Sequence, residues 1–471
     1  MVAGSLVSAC CGVVLTFFVP RFLSVDDFGV WRTFLLYAGY AGLLHLGLVD
    51  GALLLWSRGA QPDPISRSAL GSSLRFVAIE HAAIVAVAAG SFLMPMTMPA
   101  RVLLLALSAY ALLFNLTGLL QVYLQAGLRF GAVAFGLSGP SALFVLMLGG
   151  LAFWHVTVSS LLVAYLFAWM STMAILLAAA WRSYPTGNSQ DIATSPSAWR
   201  FGLSAIAAGW PIVLANTGFG LMQSADRVTV NLTRPLHDFA IYSLSQSTIY
   251  VPIAILAAIT RVAFSYFARA HKADRASLYG SSTRLLALIW MLLLPYFFVV
   301  EVVVRRFLPR YVPGLAAGRI LLLSVLFLSL IQVVQLNTYS LEGRQRQFFI
   351  GSLIAVAMAF GTAWIGSIKV GTLTAVAWSQ VLTAGLWWLG NEWFLRDRKL
   401  LRVRDIFAVL ATFAISATAL FLASIDCLRT VWRPSVYYGI IAIPICFLFL
   451  AEAREGWNSA LKLQSRFMVR R

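Results

Sequence analysis

Apolar runs of about 20 residues, cut by charges, prolines and glycines, recur along the whole chain. They predict helices at approximately 2–19, 28–56, 70–94, 101–124, 131–154, 157–181, 200–224, 239–263, 281–304, 318–341, 348–366, 370–394, 405–424 and 435–452. Each run is long enough to cross a hydrocarbon layer of about 30 Å. Backbone facing lipid must pair its own N–H and C=O groups, which makes these spans helices. The alternating ten-residue strands of a membrane barrel are missing from the pattern. The expected fold class is an all-α polytopic membrane protein with about 14 transmembrane helices.

The polar connectors carry a repeat. "RFLSVDDFGVW" at 21–31 and "TRPLHDFAIY" at 233–242 align Asp27-Phe28-Gly29-x-Trp31 with Asp238-Phe239-Ala240-x-Tyr242, an offset of 211. A second pair, Tyr123-x-x-Ala126-Gly127 and Tyr339-x-x-Glu342-Gly343, recurs at an offset of 216. Six spans separate the copies, and six is even, so both halves enter the membrane in the same sense. The chain reads as two parallel six-helix repeats followed by two further helices. Its divisions are a bundle over 1–181, a cytoplasmic linker over 182–199, a second bundle over 200–394, two extra helices within 395–452 and a basic tail over 453–471. Repeats of this kind are common in transporters, whose site lies between the halves.

Composition agrees. The chain is 60% apolar and 11% charged, against about 25% charged in soluble proteins. Its formal net charge of +18 does not point to nucleic acid, because the basic residues sit in short connectors. With the N-terminus inside, 23 of the 35 Lys and Arg face the cytoplasm, which places both termini there. Arg305, Arg306, Arg310 and Arg319 violate the rule, in one outer connector. The four cysteines form neither a disulfide framework nor a metal spacing, and no cofactor is expected. The first apolar run leads straight into the repeat motif rather than into a cleavage site for a secretory signal.

Three stretches carry a family resemblance. "VPRFLSVDDFGVWRTFLLYAGYAGLLHLGLVDGALL", "SADRVTVNLTRPLHDFAIYSLSQ" and "LPRYVPGLAAGRILLLSVLFLSLIQVVQLNTYSLEGRQR" resemble the first, seventh-to-eighth and tenth helix regions of Wzx-type polysaccharide flippases. These belong to the multidrug/oligosaccharidyl-lipid/polysaccharide exporter superfamily. The resemblance implies a V-shaped pair of six-helix bundles around a central cavity. It also implies movement of undecaprenyl-diphosphate-linked oligosaccharide to the periplasmic leaflet of the bacterial inner membrane, for O-antigen or exopolysaccharide assembly. The two extra helices would then form a groove for the lipid tail. The start of the chain departs from the family pattern, lacking a short basic leader.

An anionic, bulky, polar head needs cations, hydrogen-bonding groups and room. On span 7, Asn216, Gly220, Gln223 and Arg227 fall on one helical face, with Asp226 placed to orient Arg227. Pro211, Gly209 and Gly218 invite a broken helix there. On span 8, Ser243, Tyr250 and Arg261 share a face, and Arg32 lies a turn inside span 2. The expected substrate contacts are thus Arg32, Asn216, Gln223, Asp226, Arg227, Tyr250 and Arg261. Each arginine is also near enough to a helix end to snorkel into the headgroups. Glu80 and His81 sit at mid-bilayer in span 3 and suggest ion coupling, or else a protonated pair buried for packing. Gln121, Gln125, Gln332, Gln335 and Tyr339 read as packing more than as sugar contacts. Trp181, Trp199, Trp387, Trp388 and Trp393 read as interfacial anchors.

Three functions compete. A flippase working by alternating access on a lipid-linked oligosaccharide fits the arginine surplus best, with the bilayer and other polysaccharide-assembly proteins as its partners. A cation-coupled multidrug exporter would want more intramembrane acids. A membrane polymerase or ligase would want a large outer loop with acid–base groups, whereas the longest polar connector, 182–199, falls inside and carries no catalytic constellation. The protein is not expected to be an enzyme.

Overall fold

A computed structural model describes residues 2–58, 67–93, 95, 97–183, 198–249, 252–253, 275–395, 403–425 and 432–442. Among them the regular structure is helical throughout. Eight helices are long and apolar enough to cross a bilayer, or ten if each of two sharply bent pairs is one span. The chain is a multi-pass all-α membrane protein. Of the other expected spans, the first is helical over Val2–Phe22 and the twelfth over Leu373–Leu395. Much of the eighth and fourteenth lies outside the described residues.

Contacts divide the chain into two compact units, Met1–Ser243 and Leu244–Arg471. The first contains α1 (Val2–Phe22), α2 (Val25–Ala38), α3 (Leu48–Arg58), α4 (Arg67–Gly90), α5 (Met98–Ala126), α6 (Phe130–Leu151), α7 (Val158–Ser183) and α8 (Ala198–Thr233), and α9 (Leu236–Ser247) runs out of it. This boundary falls later in the chain than the 182–199 connector, because α8 packs on α3 and α4. The expected linker itself, over 184–197, lies outside the described residues.

The repeated motif is a helix start, used twice. Ser24 caps α2, its Oγ accepting the Asp27 N–H at 3.1 Å and donating to Asp27 Oδ2 at 2.7 Å. Asp27 is the third residue of α2, and Asp238 is the third residue of α9. The aromatic residues that follow, Phe28 and Trp31 in one copy and Phe239 and Tyr242 in the other, are buried at matching positions. Trp31 and Phe34 join an aromatic cluster with Tyr110, Phe144 and Tyr165 that fixes α2 against α5, α6 and α7.

Span 2 was expected as one helix over 28–56. It is broken instead: α2 stops at Ala38, a single 3-10 turn covers Ala41–Leu43, and α3 begins at Leu48, with a bend of 43°. Leu46 and Gly47 both take positive φ, 49° and 93°, and His45 Nδ1 accepts the Gly47 N–H at 3.0 Å. The break brings α3 backbone-to-backbone against α8. A Cβ on Gly51 would lie 1.7 Å from Ala205 O, and one on Gly209 would lie 2.0 Å from Gly47 O. Gly47-x-x-x-Gly51 thus crosses Ala205-x-x-x-Gly209, small residues four apart on each helix, a close-packing device of membrane helices.

The second unit contains α10 (Arg275–Leu293), α11 (Tyr296–Phe307), a 3-10 segment over Pro309–Gly314, α12 (Leu315–Ser329) and a π-helical segment over Leu330–Gln335. It continues with α13 (Leu336–Leu341), α14 (Gln345–Ile365), α15 (Leu373–Leu395), α16 (Val403–Ala423) and a helix over 433–442. Pro295 has no N–H, so the carbonyl of Met291 loses its helical partner. Tyr437 Oη donates to Met291 O at 2.8 Å, and Tyr438 Oη donates to Leu292 O at 3.1 Å. With the Arg284–Asp405 pair at 2.9 Å, these bonds fasten the two extra helices to α10.

Two sequence expectations change here. Trp387 and Trp388 are buried rather than interfacial, while Trp181, Trp199 and Trp393 are exposed. Among the outer arginines, Arg305 pairs with fully buried Glu301 at 2.9 Å, and Arg319 lies over the rings of Phe297 and Phe421. Half of the apparent violation of the charge rule is therefore structural.

Candidate functional site

In the first unit, α2, α8 and α9 meet along a polar seam. Arg32 Nη2 donates to Ser243 O at 2.5 Å, and its guanidinium sits 5.5 Å from the centre of the Phe28 ring. Tyr37 Oη donates to Asn231 Oδ1 at 3.0 Å, and Asn231 Nδ2 donates to Thr33 Oγ1 at 2.9 Å. Tyr40 Oη and Ser224 Oγ are 2.6 Å apart. Where α2 and α9 begin, a Cβ on Gly29 would lie 2.7 Å from Leu236 Cγ, and His237 Nδ1 is 3.8 Å from Asp26 Oδ1. The two copies of the repeated motif therefore touch.

Sequence reading found Arg32 but missed Asn231, Tyr37, Tyr40 and Ser224. A signal existed: 33, 37 and 40 share a face of α2 and its continuation, and 224 and 231 share a face of α8. Asn231→Ala removes two hydrogen bonds, which together stabilise the seam by about 1–2 kcal/mol. The detergent-solubilised variant is expected to melt a few degrees lower; an unchanged melting temperature would show that the seam contributes nothing to stability.

Asp226 is buried and held. Tyr242 Oη donates to its Oδ2 at 2.7 Å, and the backbone N–H of Arg227 donates to its Oδ1 at 2.7 Å. It thus joins α8 to α9, a packing role that the sequence did not anticipate. The stripe residues face elsewhere. Gln223 and Arg227 are half-buried, and a Cβ on Gly220 would meet no atom within 4 Å. Span 7 bends by 50° between Trp199–Leu214 and Thr217–Thr233, just beyond Pro211 as expected from the sequence. The side chain of Asn216, and all of Tyr250 and Arg261, lie outside the described residues.

A second cluster surrounds the break in span 2. His81 is buried; its Nδ1 donates to Val77 O at 3.0 Å and its Nε2 is 2.8 Å from Asn115 Nδ2. Asn115 Nδ2 also donates to Ala41 O at 3.1 Å, a carbonyl of the 3-10 turn that accepts the Leu44 N–H as well, at 3.2 Å. Glu80 Oε2 lies 3.8 Å from His81 Nδ1. Asp50 lies in the first turn of α3, where a negative charge meets the positive helix end.

In the second unit, Gln335 and Tyr339 are buried, as the packing reading expects. Gln335 Nε2 donates to Glu392 Oε1 at 2.8 Å and to Trp388 O at 3.0 Å, and its Oε1 accepts from Asn391 at 2.9 Å. Tyr279 Oη donates to the same oxygen of Glu392 at 2.5 Å. Glu392 carried no sequence signal beyond a lone acid at a helix end.

Solved structures share this fold. Lipid II flippase MurJ in an inward closed conformation has a TM-score of 0.66 at 11% identity, covering 94% of this chain and 97% of its own. An inward-facing multidrug resistance MATE family transporter of the MOP superfamily has a TM-score of 0.63 at 14% identity, covering 84% and 95%. The chain has the fold of these exporters. No protein-family model and no curated protein matches the sequence. Among the described residues, no group of three or more His, Cys, Asp or Glu could hold a metal ion.

Proposed function

We propose that the protein is a flippase that carries a polyprenyl-diphosphate-linked oligosaccharide from the cytoplasmic to the periplasmic leaflet by alternating access, as a Wzx-type exporter in surface polysaccharide assembly. The observation that carries this reading is the Gly220–Gln223–Arg227 stripe. It combines a cation, an amide and open space on a sharply bent intramembrane helix. A diphosphate needs the cation, sugar hydroxyls need the amide, and a bulky head needs the room. Arg32 supplies a second cation on the neighbouring helix, and Asp226 positions the backbone at Arg227. From their spacing in the sequence alone, Tyr250 and Arg261 on span 8 are proposed as further contacts of the same substrate.

The extent of the structural match supports the lipid-linked substrate over a drug. The likeness to lipid II flippase covers a tenth more of this chain than the likeness to the multidrug transporter, about what two spanning helices need. The second reading, a cation-coupled multidrug exporter, draws on Glu80, an intramembrane acid of the kind a cationic drug or a coupled ion requires. The charge count supports an inner-membrane location with both termini in the cytoplasm. An inside-negative potential favours outward movement of the anionic head by about 2.3 kcal/mol per charge per 100 mV.

Deleting the gene is expected to trap lipid-linked oligosaccharide in the cytoplasmic leaflet. At matched protein level, Arg227→Ala and Arg32→Ala should each lower export about tenfold or more, the cost of one lost charge-assisted contact of roughly 1.5–3 kcal/mol. Exposed Arg306→Ala should leave export unchanged. Equal export by all three variants would remove the stripe from the substrate path.

A further inference from the structure

The mid-membrane Glu80–His81 pair looks symmetrical in sequence, two titratable groups side by side. Its hydrogen bonds make the two residues unequal. Val77 O can only accept, so the proton of the His81 ring is on Nδ1. Ala41 O can only accept, so the Asn115 amide nitrogen points towards both it and His81. His81 Nε2 must then accept a hydrogen bond from Asn115 and cannot itself hold a proton. Protonating the ring would set N–H against N–H in a site with 1% exposure. A carbonyl of the 3-10 turn in span 2, by fixing the Asn115 amide, thereby locks His81 neutral.

Glu80 has no such constraint. Both of its carboxylate oxygens are buried without a hydrogen-bond partner, and so is Asn115 Oδ1. The cluster holds three acceptor atoms and lacks a donor, which one proton on the carboxylate would supply. No Lys or Arg lies within ion-pair distance of Glu80 among the described residues; its ion-pair neighbour is His81, whose N–H is already committed. The other ionisable groups nearby are His45 and Asp50 at the span 2 break and Arg75, five residues earlier on α4. From α5, Asn115 faces the cluster. A sodium ion would need several oxygen ligands around it, and among the described residues the cluster offers one carboxylate and one amide oxygen, its Ala41 and Val77 carbonyls being taken up by hydrogen bonds.

We propose that Glu80 alone binds and releases a proton in this transporter, with His81, Asn115 and Ala41 as a fixed neutral frame that positions it. Glu80 would be protonated while its carboxylate oxygens are buried, and would release the proton when water reaches it. The idea rests on the transport reading only for what the proton drives.

The test uses the purified full-length protein in lipid vesicles. Infrared difference spectra taken between about pH 5 and 9 should show one carboxyl protonation band that is lost in Glu80→Gln and retained in His81→Gln. Histidine NMR of the wild type should show the His81 ring neutral, with its proton on Nδ1, across the same range. This second measurement keeps the test decisive if His81→Gln fails to fold. A carboxyl band that ignores pH, an imidazolium at His81, or a band shifted by sodium chloride at fixed pH would each overturn the proposal. Vesicles loaded with an undecaprenyl-diphosphate-linked sugar supply the separate arm. An intact Glu80 band without any flipping would sink the flippase reading and leave the proton site standing.

Discussion

Gly51→Ala is expected to cost about 3 kcal/mol or more, because the new methyl group would meet backbone, which cannot rotate away. Its Cβ would lie 1.7 Å from Ala205 O and 2.5 Å from the carbonyl carbon. To relieve this, α3 and α8 must move apart. That separation would also loosen the layer of Leu48, Ala52, Phe76, Val77 and Leu119 packed around Ala205. Gly209→Ala should behave alike, since its Cβ would lie 2.0 Å from Gly47 O. Gly71→Ala and Gly149→Ala are the controls. Neither meets an atom within 4 Å, and both sit inside helices, where alanine is favoured by about 0.5–1 kcal/mol. Melting temperatures in detergent should fall by roughly 2–4 °C per kcal/mol lost for a unit of this size. A Gly51→Ala protein that melts with the wild type would refute the close crossing.

Arg433→Ala should be as damaging for a different reason. Glu301 is fully buried, and Arg433 Nη1 lies 2.6 and 2.7 Å from its two oxygens. Removing the arginine strands a carboxylate whose remaining partner, Arg305, has half of its side chain exposed. Breaking a buried pair from one side costs about 3–5 kcal/mol, while replacing both partners by apolar residues is often neutral. Arg433→Met should therefore lower the melting temperature sharply, and adding Glu301→Leu should recover most of it. If the double variant is no better than the single one, desolvation of Glu301 is not the cause. The helix over 433–442 is also tied by Tyr437 and Tyr438, so its loosening should be visible as faster amide hydrogen exchange along that helix.

Both predictions concern contacts that no window of sequence displays. Gly51 and Gly209 were legible as glycines in apolar runs, but their meeting depends on where span 2 breaks. That break in turn depends on Leu46 and Gly47 taking positive φ together. Glu301 and Arg433 are 132 residues apart, and nothing local in the sequence pairs them. The candidate site divides in the same way. Arg32 and Asp226 were visible as charges in apolar surroundings, which is rare enough to notice. Their partners, Ser243 O and Tyr242, were not, because a carbonyl carries no sequence signal and a buried tyrosine resembles any core aromatic residue.

By itself the sequence determined that the chain crosses the membrane many times as helices, since lipid leaves unpaired backbone no other solution. It also determined that one helix start is used twice, since a capping serine or proline, an acid at the third position and spaced aromatics are local chemistry. Tertiary structure alone decided that the two starts touch, that α8 belongs with the helices before it, and that His81 is a fixed neutral group while Glu80 is left without a donor. Those outcomes rest on where a handful of carbonyls and glycines come together across separate helices. Contact of that kind is a property of packing, to which hydropathy and spacing are blind.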